Sequence, residues 1–146
     1  MKKTVLVIHG PNLNMLGRRE PEKYGTATLD EINQAMTAHG KKMDINIETF
    51  QSNHEGAIVE KIQACNDTCA GVIINPAAYT HTSIAIRDAL LLLSVPIVEI
   101  HLSNIYKREA FRHKSLISDV ATGQIAGFGM RGYLLAIDAI SDLIGK

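Results

Sequence analysis

The sequence has no excess of charge of either sign, because 15 Lys and Arg residues balance 15 Asp and Glu residues. General nucleic-acid binders usually carry a basic excess, so this balance argues against that class while leaving room for a local basic patch. A net charge near zero also provides little colloidal repulsion, which is compatible with self-association.

Long apolar runs are also absent. The run over residues 4–8 stops at His9, short of the ~18–20 residues of a membrane span and the ~7–15 of an export signal. We therefore expect a cytoplasmic protein that does not contact a membrane. The 146 residues, of which 46% are hydrophobic, fit a single globular domain over residues 1–146.

Several motifs of known chemistry are missing. There is no G-K-[ST] of a P-loop and no G-x-S-x-G serine nucleophile, and the histidines lack metal-site spacings, so we expect no metal. The GFGMRG segment at residues 127–132 matches G-x-G-x-x-G, but too little chain follows for the strand and acidic residue of a dinucleotide site. Cys65 and Cys69 are expected to be reduced helix residues without chemistry.

What the chain does contain is a regular alternation of strand and helix patterns. Apolar and β-branched segments predict strands over residues 4–9, 45–50, 71–74, 97–101 and 125–128. Capping boxes at residues 28–31 and 52–55 open two helices, the first of which is expected to end at Gly40. Further helices are predicted over residues 82–93, around 107–113 and over 133–144.

This alternation predicts an α/β, flavodoxin-like fold: a doubly wound, five-stranded parallel sheet of order 2-1-3-4-5 with helices on both faces. Ligands of such folds bind beyond the carboxyl ends of the strands, near the switch point between strands 1 and 3. The segments that follow these ends are residues 10–26, 75–82 and 101–112. We therefore expect the functional site to be built from these three segments.

The first segment is longer than the usual ~2–6 residues of such a connection, and it contains arginines and Tyr24. A cation about 4 Å from a phenolate contributes about 4 kcal/mol at an effective dielectric near 20, or roughly three pKa units. Tyr24 is therefore a candidate base, and cation–π packing on the surface is the alternative.

The other two segments supply candidate acids and binding groups. Glu99 and His101 are two apart in a strand and share a face, so Glu99 could orient His101 or keep it protonated; a simple strand-end histidine is the alternative. Residues 75–83 lead into a helix N-terminus, whose backbone amides suit anionic or hydroxylated ligands. The alternative is that Asn75 serves only as a capping residue and that His81 is an exposed side chain without a binding role. A basic cluster follows strand 4 and could supply a cation for a carboxylate or hydroxyl group of a ligand, or it could be a solvated helix face. Its members are Lys107, Arg108, Arg112, His113 and Lys114.

Several segments together resemble the type II 3-dehydroquinate dehydratases, and the likeness covers nearly the whole chain. They are GPNLNMLGRREPEKYG (residues 10–25), FQSNHEG (50–56), INPAAYTHTS (74–83), EIHLSN (99–104), GFG (127–129) and GYLL (132–135). The resemblance implies dehydration of 3-dehydroquinate to 3-dehydroshikimate by anti elimination through an enol or enolate, without cofactor or metal. The product could serve aromatic biosynthesis or quinate breakdown.

The resemblance also implies a role for each matching residue. Tyr24 is the base, Arg19 stabilises its anion, and Asn12 holds a water that stabilises the enolate. His101 is the acid, supported by Glu99. Substrate binding falls to Asn75, His81, Arg112 and the backbone of Leu102 and Ser103. Asp88 is expected to act across a subunit boundary, because the family assembles trimers into a homododecamer.

Two other classes of function stay open at this point. A non-enzymatic ligand-binding module of flavodoxin-like fold would need neither Tyr24 nor His101. A flavin-binding electron carrier would need a Ser/Thr-rich phosphate loop and flanking aromatic residues, whereas the first loop offers Asn and Arg and the chain has no Trp.

Overall fold

The computed structural model describes residues 2–18 and 20–145. Five parallel strands form one sheet in the order β2-β1-β3-β4-β5. The strands are β1 Lys3–His9, β2 Ile45–Gln51, β3 Gly71–Asn75, β4 Ile97–His101 and β5 Gly123–Ala126. Val7 of β1 lies between Thr49 of β2 and Ile73 of β3. The predicted flavodoxin-like sheet order is confirmed, and its switch point lies between β1 and β3.

The helices between the strands are α1 Pro21–Tyr24, α2 Leu29–Lys42, α3 Glu55–Cys65 and α4 Ile84–Leu91, and α5 Met130–Ile144 follows β5. Short 3₁₀ turns cover Leu13–Met15, Ala77–His81, Ile105–Lys107 and Ala110–Arg112. Within residues 2–18 and 20–145, no helix has both the length and the apolar character needed to cross a bilayer.

The core lies on both faces of the sheet, because successive side chains of each buried strand point in opposite directions. On β1, Val5 and Val7 pack on the face covered by α2 and α5, while Leu6 and Ile8 pack on the face covered by α3 and α4. This two-sided burial explains why the central strands β1 and β3 appear as continuous apolar runs in the sequence.

The start of α2 is as predicted, but its end is not. Thr28 and Glu31 form the reciprocal capping box, with Glu31 N–H donating to Thr28 Oγ1 at 3.2 Å. Gly40 does not end the helix, which continues to Lys42. A Cβ at Gly40 would lie 2.6 Å from Ile47 Cγ1, so this glycine allows α2 to approach β2 closely.

The second predicted capping box does not form. His54 is the N-cap of α3 and makes no side-chain cap hydrogen bond. Ser52 Oγ instead accepts from His54 N–H at 2.9 Å, and the Glu55 carboxylate accepts from the Ser83 hydroxyl. Glu55 thus links α3 to the N-cap of α4, a long-range contact that competes with local capping.

The boundaries of four other elements differ from prediction. β5 begins at Gly123 and ends at Ala126, because Gly127 and Gly129 adopt positive φ angles and Phe128 is exposed. The short helix expected near residues 107–113 consists of two 3₁₀ turns. α4 ends at Leu91 and α5 already begins at Met130.

Candidate active site

The segments that follow β1, β3 and β4 meet in one cleft with a volume of about 150 Å³. Its lining includes eight residues predicted from the sequence: Asn12, Tyr24, Asn75, His81, His101, Leu102, Ser103 and Arg112. The cleft lies at the carboxyl ends of the central strands, as expected for this sheet topology.

The loops around the cleft are held in unusual backbone conformations. Asn12 and Ala77 have positive φ angles of 70° and 54°, which non-glycine residues rarely adopt. The loops are also in close contact, since Gly10 N–H donates to Asn75 O at 2.8 Å and a Cβ on Gly10 would lie 2.3 Å from Pro76 O. Strain of this kind persists where the surrounding structure holds a site in one arrangement.

His101 and Glu99 form a buried pair at the end of β4. Glu99 is fully buried, and its Oε2 accepts a hydrogen bond from His101 Nε2. Burial alone would raise the pKa of Glu99, but the hydrogen bond and charge of His101, with hydroxyl donors from Ser115 and Ser118, hold that pKa below its usual range. The predicted same-face contact is therefore present.

Tyr24 ends α1 and faces the cleft next to an arginine that sequence reasoning did not single out. The Arg108 guanidinium carbon lies 5.3 Å from the centre of the Tyr24 ring. Arg108 Nη1 donates to Ser103 Oγ at 3.3 Å, while its buried Nε has no hydrogen-bond partner in the described part of the chain. The sequence signal that could have identified Arg108 as a site residue was its place in the basic cluster after β4.

His81 and Arg112 line the cleft near His101. His81 Nδ1–H donates to Lys114 O at 2.8 Å, which leaves Nε2 as its second ring nitrogen. Burial, together with the positive charges of His101 and Arg112, lowers the pKa of His81. Arg112 Nε donates to Glu109 Oε1 at 3.2 Å, so the guanidinium is anchored at one edge.

A buried polar chain below the cleft holds Asn75. Asn75 Nδ2 donates to Tyr133 Oη at 3.0 Å, and Tyr133 donates to His9 Nδ1 at 3.2 Å. His9 Nε2–H donates to Asn33 Oδ1 at 2.8 Å, so the proton of the neutral ring lies on Nε2. Burial lowers the pKa of His9 to about 4 and raises the pKa of Tyr133. The chain was not predicted, because its members lie far apart in sequence.

Among the described residues, two predicted site residues do not line the cleft. Glu99 is fully buried and its carboxylate contacts His101, which does line the cleft. Asp88 is exposed on α4, outside the cleft. Arg19 lies outside the described residues.

Residues 2–18 and 20–145 contain no group of three or more His, Cys, Asp or Glu side chains that could hold a metal ion. Cys65 and Cys69 are buried free thiols, and burial raises the pKa of Cys65 to about 12. A thiol with so high a pKa is a poor nucleophile at neutral pH.

Comparison with known proteins decides the family. Residues 3–141 match the family described as Dehydroquinase class II. The chain belongs to this family. It is 56% identical to the 3-dehydroquinate dehydratase of Ruegeria pomeroyi over 94% of this chain and 93% of that protein, and 60% identical to that of Roseiflexus castenholzii over 92% and 85%.

Solved structures of dehydroquinases share the fold. The type II dehydroquinase of Butyrivibrio crossotus superposes with a TM-score of 0.94 at 46% identity, covering 96% of this chain and 98% of that one. A 3-dehydroquinate dehydratase-like protein of Bifidobacterium longum superposes with a TM-score of 0.75 at 33% identity, covering 99% of each chain. These likenesses favour a dehydroquinase over a flavin carrier or a non-catalytic binding module.

Proposed function

We infer that this chain dehydrates 3-dehydroquinate to 3-dehydroshikimate and is a lyase that cleaves a carbon–oxygen bond. The observation that carries this inference, besides family membership, is the cleft that is lined by Tyr24 of α1 and by His101 of β4, with the buried Glu99 in contact with His101. The reaction needs both a base and an acid, and separate elements let their environments differ.

We propose the following division of chemical labour. Tyr24 takes the proton alpha to the ketone, and the electrons of the broken C–H bond form the enolate, which a water held by Asn12 stabilises. His101 gives a proton to the departing hydroxyl as the C–O bond breaks, so water leaves and the C=C bond remains. Arg19 stabilises the phenolate. Arg108 is positioned to assist from the face of the Tyr24 ring.

Substrate binding is proposed to use the remaining polar groups of the cleft. Asn75, His81 and Arg112 hold the substrate hydroxyl groups, and the backbone of Leu102 and Ser103 receives its carboxylate. The support is that all five line the cleft and that Asn75 and His81 are held by hydrogen bonds from the fold. No metal or cofactor takes part in this scheme, so chelators and borohydride with substrate should leave activity intact.

We also propose self-association through α4, with trimers built into a dodecamer. Ile84, Leu91 and Leu92 are exposed by 64%, 56% and 63%, and Asp88 lies on the same helix face. Exposed apolar patches commonly mark protein contacts, so this face supports a partner subunit and a role for Asp88 in that subunit's cleft. The cytoplasmic location stays a prediction.

The test is to add 3-dehydroquinate and follow the absorbance of the conjugated enone carboxylate that forms. His101→Ala should lower kcat by about 10²–10⁴-fold with little change in KM, because a general acid acts mainly in the transition state. Tyr24→Phe should remove nearly all turnover.

The matched control is His39→Ala. His39 pairs with Asp138 between α2 and α5, outside the cleft, so this variant should turn over normally. Near-normal turnover by His101→Ala would remove His101 from the mechanism, and absence of product with the wild-type chain would overturn the proposed activity.

A further inference from the structure

The Glu99 carboxylate is surrounded by hydroxyl groups from outside its own strand. Thr80 Oγ1 donates to Oε2 at 3.1 Å, Ser115 Oγ donates to Oε2 at 2.8 Å, and Ser118 Oγ donates to Oε1 at 2.8 Å. We call Thr80, Ser115 and Ser118 the hydroxyl cage. His101 Nε2 provides the fourth contact to the same carboxylate.

A fully buried carboxylate is costly unless donors replace its lost hydration. An ionised carboxylate only accepts hydrogen bonds, whereas a protonated one carries an O–H that must itself find an acceptor. Three hydroxyl donors therefore favour the ionised form. Two of these hydroxyl groups are themselves held in place by hydrogen bonds that they accept. Gln124 Nε2 donates to Ser118 Oγ at 3.0 Å, and Ile117 N–H donates to Ser115 Oγ at 3.2 Å.

The charge of Glu99 determines the state of His101. An ionised Glu99 can only accept, so the proton between the two must sit on His101 Nε2. The ring nitrogen that does not contact Glu99 is then Nδ1. We propose that the hydroxyl cage is a set of positioning residues that holds Glu99 ionised and thereby directs the working proton of His101 to Nδ1.

This inference rests on the proposed role of His101 and deepens it. It assigns a function to Ser115 and Ser118, which lie between the last 3₁₀ turn and β5, and to Thr80, which lies in the 3₁₀ turn after β3. Through Thr80, the hydroxyl cage thus connects the segment after β3 to the Glu99 carboxylate of β4. The proton given to the leaving hydroxyl comes from Nδ1, while the Nε2 proton stays with Glu99.

Thr80 allows a clean test, because Thr80→Val keeps its shape without the hydroxyl and Thr80→Ser keeps the hydroxyl. Thr80→Val, Ser115→Ala and Ser118→Ala should each lower kcat by about tenfold at little change in KM, since a hydrogen bond to a charged group is lost. Thr80→Ser should retain most of the turnover. Thr122→Ala is the control, because it removes a hydroxyl contact at the other end of β4.

The decisive measurement repeats each cage variant in a His101→Ala background. If the cage acts through His101, the variants should lower the residual kcat by less than about twofold there. Equal losses in both backgrounds, or a Thr80→Ser variant as impaired as Thr80→Val, would overturn the proposal. If Thr80→Val does not fold, Ser118→Ala replaces it in the same comparison of the two backgrounds, because Ser118 is partly exposed and tolerates the change more easily.

The cycle also separates this proposal from the one it rests on. A His101→Ala chain with normal kcat would refute the role of His101 itself. A His101→Ala chain with a strongly reduced kcat, combined with additive cage effects, would refute only the role of the cage.

Discussion

At the scale of single residues, His9 shows how the fold restricts the charge of a buried group. It is fully buried with both ring nitrogens hydrogen-bonded, and burial lowers its pKa from 6.5 to about 4. Between these values the unfolded chain binds a proton that the folded chain excludes. Acid therefore favours unfolding in this pH range.

We expect the free energy of unfolding to fall by about 2–3 kcal/mol between pH 7 and pH 4.5 on account of His9 alone. The stabilisation is complete above about pH 6.5 and is lost as pH falls towards about 4. Urea unfolding at fixed protein concentration should show a weaker pH dependence for His9→Gln than for the wild type.

His39→Gln is the control, because His39 is a partly exposed surface histidine. The lowered pKa of His81 contributes with the same sign but is present in both variants. The lowered pKa of Glu99 adds stability that is lost only below its usual range. A His9→Gln chain with the full wild-type pH dependence would contradict the role of His9.

Some parts of the candidate site could be predicted from residue patterns in the sequence, and others could not. Glu99 and His101 were predictable because strand periodicity alone places them on one face. The hydroxyls that surround Glu99 were not, because hydroxyl residues are common and their contacts depend on how distant loops fold. Arg108 was visible only as one of five basic residues until its position over Tyr24 selected it.

At the scale of elements, the loops after β1 and β3 are fixed by a close backbone contact. Gly10→Ala should destabilise the chain and impair turnover, because its Cβ would lie 2.3 Å from Pro76 O and push the two loops of the cleft apart. We expect a loss of a few kcal/mol in unfolding free energy, as is typical of overpacked sites (about 1–3 kcal/mol).

Gly56→Ala is the matched control in a helix. A Cβ there meets nothing within 4 Å, and alanine favours helix by about 0.5–1 kcal/mol. This variant should be slightly more stable and fully active. Equal stability of the two variants in thermal unfolding would show that the loop contact does not constrain the cleft.

Elements also show where local sequence signals fail. The Thr28 box was predicted correctly because its two partners, Thr28 and Glu31, lie within one turn of the same helix. The capping box predicted at residues 52–55 does not form, because the Glu55 carboxylate instead accepts a hydrogen bond from Ser83, which is distant in sequence. β5 was predicted two residues late because the sequence does not reveal the positive φ angles that end the strand at Gly127 and Gly129.

At the scale of the whole molecule, the exposed face of α4 predicts how subunits associate. Ile84→Lys combined with Leu92→Lys should yield smaller species in sedimentation experiments, because two charges would have to be buried at the contact. Leu143→Lys, at an exposed leucine of α5, is the comparison for a general effect of added charge. Unchanged assembly of the double variant would exclude α4 as the contact.

Asp88 makes a sharper prediction about the assembly, since it lies outside the cleft of its own chain. If Asp88 serves the cleft of a neighbouring subunit, Asp88→Asn and Tyr24→Phe should each be nearly inactive alone. Dissociation and joint reassembly at equal amounts should restore about one quarter of wild-type activity. That fraction follows because a working cleft needs an intact Tyr24 in one chain beside an intact Asp88 in the next.

The control for this experiment is reassembly of Tyr24→Phe with His101→Ala. Both residues line the cleft of the same chain, so no combination of these subunits contains a complete site, and activity should not return. Recovery near one quarter in the first mixture and none in the second would place Asp88 in the neighbour's site. Absence of recovery in both mixtures, with reassembly verified by sedimentation, would show that Asp88 acts within its own chain.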